Sequence, residues 1–157
     1  MNLFTFGYEG MSIDAFIARL QSSGVQTVLD VRELPLSRKS GFSKRAFADA
    51  LRQVEIVYAH LPALGCPKPI RNQYKADGDW SNYTKAFNAY LVTQSIVVAE
   101  LAQIANKTTA CLVCFEADFN FCHRSIVARA AALAGAPRVV HLTAKRAIPE
   151  VALRAVA

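Results

Sequence analysis

Cys122, His123 and Arg124 stand in a row between the apolar run CLVCFE and the alanine-rich run SIVARAAAL. A thiol beside an imidazole and a guanidinium reads in three ways: as a nucleophile, as part of a metal site, or as the start of a helix. If a helix begins here after a cap at Asp118 or Asn120, Cys122 lies in its first turn. There the helix dipole, with His123 and Arg124 adjacent, favours a thiolate. The competing reading is packing, because Cys122, Ile126, Ala130 and Leu133 recur at helical spacing and a cysteine serves well as a small hydrophobe. The Cys-x5-Arg loop of cysteine phosphatases does not fit, since Arg129 follows Cys122 after six residues and no glycine intervenes.

Zinc is disfavoured on spacing. Cys111 and Cys114 have two residues between them, but an odd separation on an extended strand sends their side chains to opposite faces. Cys122 and His123 are adjacent, which is also a poor arrangement for sharing one ion. No metal set and no cofactor motif is expected. Arg124 and the free amides of the helix start suit an anion better, a guanidinium and N–H groups being natural partners of phosphate oxygens. Arg38, Lys39 and Lys44 fall in a loop predicted to lie on the same edge.

These residues need elements to position them. NLFTFGY, VQTVLDV, IVYAHL, TACLVCFE and RVVHL read as five strands. They alternate with helices at SIDAFIARLQSSG, capped by Ser12, at SKRAFADALRQVE, capped by Ser43, over about 81–106 with one break, and at CHRSIVARAAALAG. Apolar strands alternating with helices predict a three-layer α/β fold, a mainly parallel sheet of about five strands with helices on both faces. The chain is expected to form one such domain over 1–157. The stretch 62–80, with Pro62, Gly65, Pro67, Pro69 and Gly78, is expected to be a long irregular loop, and the tail from Lys145 a short closing helix.

In such a sheet ligands bind where the strands end in their carboxyl direction. Tyr8 and Glu9 follow the first strand, Asp30 and Arg32 end the second, and His60 ends the third. Glu116 and then the Cys-His-Arg triplet follow the fourth, and His141 the fifth. Asp30 and Arg32 stand two apart, so if the strand persists they share a face and can pair, either as a structural salt bridge or as part of the chemistry. Glu116, if half removed from water, would serve as an acid or base. Lys68, Arg71 and Lys75 interleave with Tyr74, Trp80 and Tyr83, a pattern that holds phosphates while stacking on bases. The plainer reading is that the aromatics anchor the loop and the cations are solvated.

At 157 residues, 53% hydrophobic and 19% charged, the chain suits a compact folded protein. The start MNLFTFGYEG lacks the features of a signal peptide and no apolar run is long enough to cross a bilayer, so a soluble, cytoplasmic protein is expected. Four cysteines in that setting are expected to be free thiols. Lysine and arginine number 18 against 12 acidic residues, a formal charge of +6, which suits an anionic partner such as a nucleotide or nucleic acid. No membrane partner is expected, and no motif sets an oligomeric state.

TFGYEG, DVRELPLSRKSGFSK, YAHLPALG and CFEADFNFCHRSIVA occur in the order and approximate spacing of the motifs of a bacterial and archaeal family, domain of unknown function 488. The resemblance runs from Thr5 to about His141 and implies a single α/β domain. The family's motif positions match at Gly7, Tyr8, Asp30, Arg32, Pro35, Ser37, Arg38, Gly41, Phe42, Ser43, Lys44, His60, Leu61, Pro62, Glu116, Cys122, His123 and Arg124. The chain departs at Glu9, where serine or threonine is usual, at Gly65-Cys66, where two glycines are common, and in ADFNF, which lacks a proline before the triplet. The resemblance locates a site and brings no activity with it.

The expected catalytic groups are Asp30, Glu116, Cys122 and His123. The expected substrate or phosphate ligands are Tyr8, Arg32, Ser37, Arg38, Lys44, His60 and Arg124. Together they describe an anion-binding crevice of an enzyme acting on a nucleotide or nucleic acid, with hydrolytic or glycosyl-bond chemistry. The alternative is a non-catalytic nucleic-acid-binding module in which the carboxylates only orient arginines. Redox or metal sensing through the cysteines is a third class.

Overall fold

The computed structural model describes residues 1–151. Its sheet has six strands in the order β3-β2-β4-β1-β5-β6: β1 is Leu3–Gly7, β2 Thr27–Asp30, β3 Val57–His60, β4 Ala110–Cys114, β5 Val139–Leu142 and β6 Ala147–Pro149. The first five run parallel, and β6 pairs antiparallel with β5. The expected α/β architecture is present, with one strand more than anticipated. That strand lies where a closing helix was expected: Ala147, Ile148 and Pro149 sit opposite Leu142, His141 and Val140. Positions 152–157 of the expected helix lie outside the described residues.

Helices α1 (Ile13–Ser22) and α2 (Lys44–Gln53) cover one face, while α4 (Trp80–Val92), α5 (Ser95–Lys107) and α6 (His123–Leu133) cover the other. The alternation of strand side chains sorts the two cores. Phe4, Phe6, Val28 and Val113 pack with Phe16, Leu20, Phe47 and Leu51 on the first face. Leu3, Leu29 and Leu112 pack with Phe87, Leu91, Leu101 and Val127 on the second. Each such large apolar side chain, fully buried, contributes about 1.5–3 kcal/mol relative to exposure. Ser12 caps α1 as expected, its Oγ accepting from the Ala15 amide at 3.2 Å. Ser43 stands at the start of α2 but does not cap it; its Oγ accepts from the Ser37 amide and donates to the Ser37 carbonyl, both at 3.1 Å.

The expectation of an irregular 62–80 segment is corrected. After a 3₁₀ turn at Pro62–Leu64, a full helix α3 runs over Lys68–Asp77. Pro67 stands at its cap position and Pro69 in its first turn, where no amide partner is lost, and Gly78 ends it in the left-handed conformation at φ 61°. Ile70 and Tyr74 fix α3 to the core on the α4 face.

The strand order matters most for function. It sets β2, β4 and β1 side by side, so the loops after Asp30, Cys114 and Gly7 leave the same edge together.

Candidate functional site

The loop after β4 is pressed against the end of β1. The amides of Tyr8 and Glu9 donate to the carbonyls of Cys114 and Phe115 at 3.2 and 2.8 Å, extending the ladder past the strands. A Cβ on Gly7 would lie 1.7 Å from the Glu116 carbonyl oxygen and 2.9 Å from Arg124 Nη1, so only glycine admits this approach. Gly65 has the same function across the site, where a Cβ would stand 2.3 Å from the Glu33 amide nitrogen.

Arg124 reaches from α6 beneath this loop. Its guanidinium donates to the carbonyls of Glu116 and Ala117 and to Cys114 Sγ, the last at 3.1 Å, while its Nε has no partner. The side chain has no exposed surface. Burial works to lower its pKa, and the nearby Cys114 and Cys122 sulfurs raise it instead. His123 is also tied down, its Nε2 donating to the Val31 carbonyl at 2.6 Å and its ring meeting Phe87 edge-on. Cys122 occupies the cap position of α6 with extended backbone, one step before the first turn, while Asp118 caps the short 3₁₀ turn Phe119–Phe121.

Cys114 is on the same face of β4 as Ala110 and Leu112, the face that α6 covers, so its thiol meets Cys122. Burial pushes the Cys114 thiol well up, with the hydrogen bond and charge of Cys122 adding to the effect. Glu116 Oε2 stands 3.5 Å from Cys114 Sγ and 3.4 Å from Cys122 Sγ. Glu116 itself is exposed, so the half-burial on which its acid or base role was conditioned is not met.

A second cluster lies below the first. Arg32 donates through Nε and Nη2 to the two carboxylate oxygens of Asp30 at 2.9 and 2.8 Å, and through Nη1 to Phe42 O and to Tyr8 Oη. Tyr58 donates to Asp30 Oδ2 at 2.6 Å, and the His60 ring donates to the Arg32 carbonyl at 2.7 Å. Burial alone would lower the pKa of Arg32, and its bonds and charge attraction to Asp30 raise it instead. Asp30, with no exposed surface, is wholly engaged in this cluster.

Above both clusters opens a cavity of about 430 Å³. Tyr8, Arg32, Ser37, Arg38, Glu116, Cys122 and His123 of the expected residues line it, together with Glu33, Cys66, Arg71, Tyr74, Lys75, Trp80, Tyr83, Cys114, Phe115 and Phe121. Trp80 stacks on Tyr83 with centroids 4.6 Å apart and meets Phe121 edge-on, forming an aromatic wall. Arg71 pairs with Glu33 at 3.0 Å, whereas Arg38 and Lys75 are exposed and have no carboxylate partner among the described residues. The Cys66 thiol is pushed up to about 11, chiefly by burial.

Four expected residues do not reach this cavity. Asp30 and His60 belong to the Arg32 cluster, and Arg124 faces carbonyls under the loop rather than the opening. Lys44, at the start of α2, borders a separate hollow with Arg45, Arg52 and Tyr58. The aromatic and basic residues of 71–83 that line the wall carried a legible signal in their interleaving. The Cys114–Cys122 meeting did not: the visible spacings were Cys111 to Cys114 and Cys122 to His123, and it is the fold of the loop 115–121 that brings the strand end to the helix cap.

A family model, Domain of unknown function DUF488, matches residues 12–131. The chain belongs to the DUF488 family. The match spans α1 through most of α6, and so the loops that build the DUF488 cavity from β2 and β4. No curated protein and no solved structure matches significantly. Among the described residues of this DUF488 chain, no helix is long and apolar enough to cross a membrane.

Proposed function

We propose that this protein is a cytoplasmic enzyme that binds a nucleotide, or a base turned out of a nucleic acid, in the cavity above Glu116 and cleaves it hydrolytically. The observation that carries this reading is the lining of the cavity: aromatic faces at Tyr74, Trp80 and Phe121 interleaved with cations at Arg38, Arg71 and Lys75. About 430 Å³ is room for one base and its sugar, and it lies within the range of small-molecule sites. The base stacks on the wall, and the phosphate meets the exposed cations Arg38 and Lys75 at the rim.

Glu116 is the site carboxylate with no ion pair among the described residues, its Oε2 accepting from the Cys114 and Cys122 thiols, whereas Asp30 is bound to Arg32 and Tyr58 and Glu33 to Arg71. Held by its own carbonyl through Arg124, it accepts a proton from an attacking water while the bond to the leaving group breaks. The same aromatic and basic lining would also serve a module that binds without turnover. The deciding experiment is a turnover screen of nucleotides and of damaged or modified single strands with the wild type and Glu116→Gln. Turnover lost in the variant with binding retained supports the enzyme; binding with no turnover by the wild type leaves the binding module.

A further inference from the structure

We propose that Cys114, Cys122 and Glu116 form a tetrahedral site for one thiophilic divalent cation of the zinc class, with its fourth position open to the cavity. The three donor atoms lie within 4.8 Å of one another and come from a strand end, a helix cap and the loop between them. Zinc takes two thiolates and a carboxylate readily, and three protein ligands with one open position is the arrangement of reactive zinc sites.

The distances suit the assignment. With bonds of about 2.3 Å to sulfur and 2.0 Å to oxygen, tetrahedral zinc holds a sulfur and an oxygen about 3.5 Å apart. Glu116 Oε2 already stands 3.5 and 3.4 Å from the two sulfurs. The sulfurs themselves are 2.6 Å apart. The same ion would hold them about 3.8 Å apart, a change made by rotating the thiols about their Cα–Cβ bonds.

Charge separates this site from a disulfide. Arg124 is completely buried, donates to Cys114 Sγ and has no carboxylate partner among the described residues. A disulfide is uncharged and would leave that guanidinium without a counter-charge. Zinc with two thiolates and one carboxylate carries a net charge of −1, which Arg124 balances, and an N–H bond to a ligating sulfur is a common outer-shell support. Binding releases the two thiol protons to solvent.

This inference goes beyond the cavity's proposed role and departs from it at Glu116, since a bound ion would turn that carboxylate from proton acceptor to ligand. The test therefore contains no nucleotide. The full chain, reduced and stripped with a chelator, is titrated with zinc against a chromophoric competitor, and with cobalt while its absorption is recorded.

Uptake of one ion per chain and a sulfur-to-cobalt charge-transfer band with tetrahedral d–d bands are expected. Cys114→Ser and Cys122→Ser should each weaken uptake at least ~10-fold and diminish that band, with Cys111→Ala unchanged. Should a buried cysteine variant fail to fold, the exposed Glu116→Gln serves instead: it should keep the sulfur band and bind more weakly. No uptake by the reduced, folded wild type overturns the proposal. So does uptake that is unaltered in Glu116→Gln and in every cysteine variant that folds. Metal uptake and turnover are read separately, so either can fail while the other stands.

Discussion

Arg124 holds the residue that faces the cavity from below: its guanidinium, with no exposed surface, donates to the carbonyl of Glu116, whose carboxylate opens on the solvent side. The loop after β4 thus rests on a buried charge as well as on the aromatic contacts of Phe115, Phe119 and Phe121. Replacing Arg124 with methionine keeps the volume and leaves the carbonyls of Glu116 and Ala117 without a donor, at about 1–3 kcal/mol each where water cannot reach them. Urea unfolding should show that loss. Arg124→Lys should recover only part of it, because one ammonium cannot span both carbonyls and Cys114 Sγ.

Gly7→Ala tests the same loop from the other side. The new methyl would meet the Glu116 carbonyl at 1.7 Å, a backbone contact that no side-chain rotation relieves. Overpacking of this kind costs about 1–3 kcal/mol, and here it should displace Glu116 as well. The expected result is a lower unfolding midpoint together with loss of nucleotide binding. Gly135→Ala, where an added Cβ meets nothing but φ is 101°, should lower stability and leave binding intact.

The Asp30–Arg32 pair has a different signature. Asp30→Asn leaves the Arg32 guanidinium buried without its counter-charge, a change that costs about 3–5 kcal/mol for a broken buried pair. Tyr58→Phe removes one hydrogen bond to the same carboxylate and should cost only about 1 kcal/mol. If Asp30 were instead a reacting group, Asp30→Asn would abolish turnover with little change in the unfolding curve. Comparing the two losses in one variant decides between those roles.

Much of the fold was visible because its signals are local. The five parallel strands are apolar runs, and α1 and α6 carry their apolar residues at helical spacing. The pairing of Asp30 with Arg32 was legible from their two-residue spacing, although β2 ends at Asp30 and Arg32 lies just beyond it. What failed depended on context. Pro67, Pro69 and Gly78 look like loop residues until a helix is placed between them, when they become its start and stop. Arg124 looked like an anion ligand because its helix position was visible and the loop lying over it was not. The meeting of Cys114 with Cys122 depends on how the loop 115–121 folds back from the end of β4 to the cap of α6.

The aromatic wall gives a prediction for binding. Base stacking on an aromatic contributes about 1–3 kcal/mol, so Trp80→Ala should weaken a nucleotide or short single strand roughly tenfold or more. Lys75→Ala should weaken it less and flatten the dependence on salt, as expected for a lost phosphate contact. Titrations at two salt concentrations separate the two effects. Trp80→Phe should retain most of the affinity.

The last prediction concerns acid. His141 is fully buried in β5, where its Nδ1 meets Thr5 Oγ1 at 2.6 Å and its Nε2 meets Glu150 Oε1 at 2.9 Å. Phe119 stacks on its ring with centroids 4.1 Å apart, and Arg129 bonds to the same Glu150 oxygen. Burial lowers its pKa; the bond and charge of Glu150 oppose the shift, and Arg124 and Arg129 reinforce it. The unfolded chain then binds a proton that the folded chain refuses between the ordinary value of about 6.5 and the depressed one. The stability contributed by neutral His141 is complete above about pH 6.5 and is lost progressively as the pH falls below it. Unfolding free energies measured across that range should decline for the wild type, and His141→Gln, which cannot take up the proton, should remove that part of the slope. An equal slope in the variant would assign the acid sensitivity to another group.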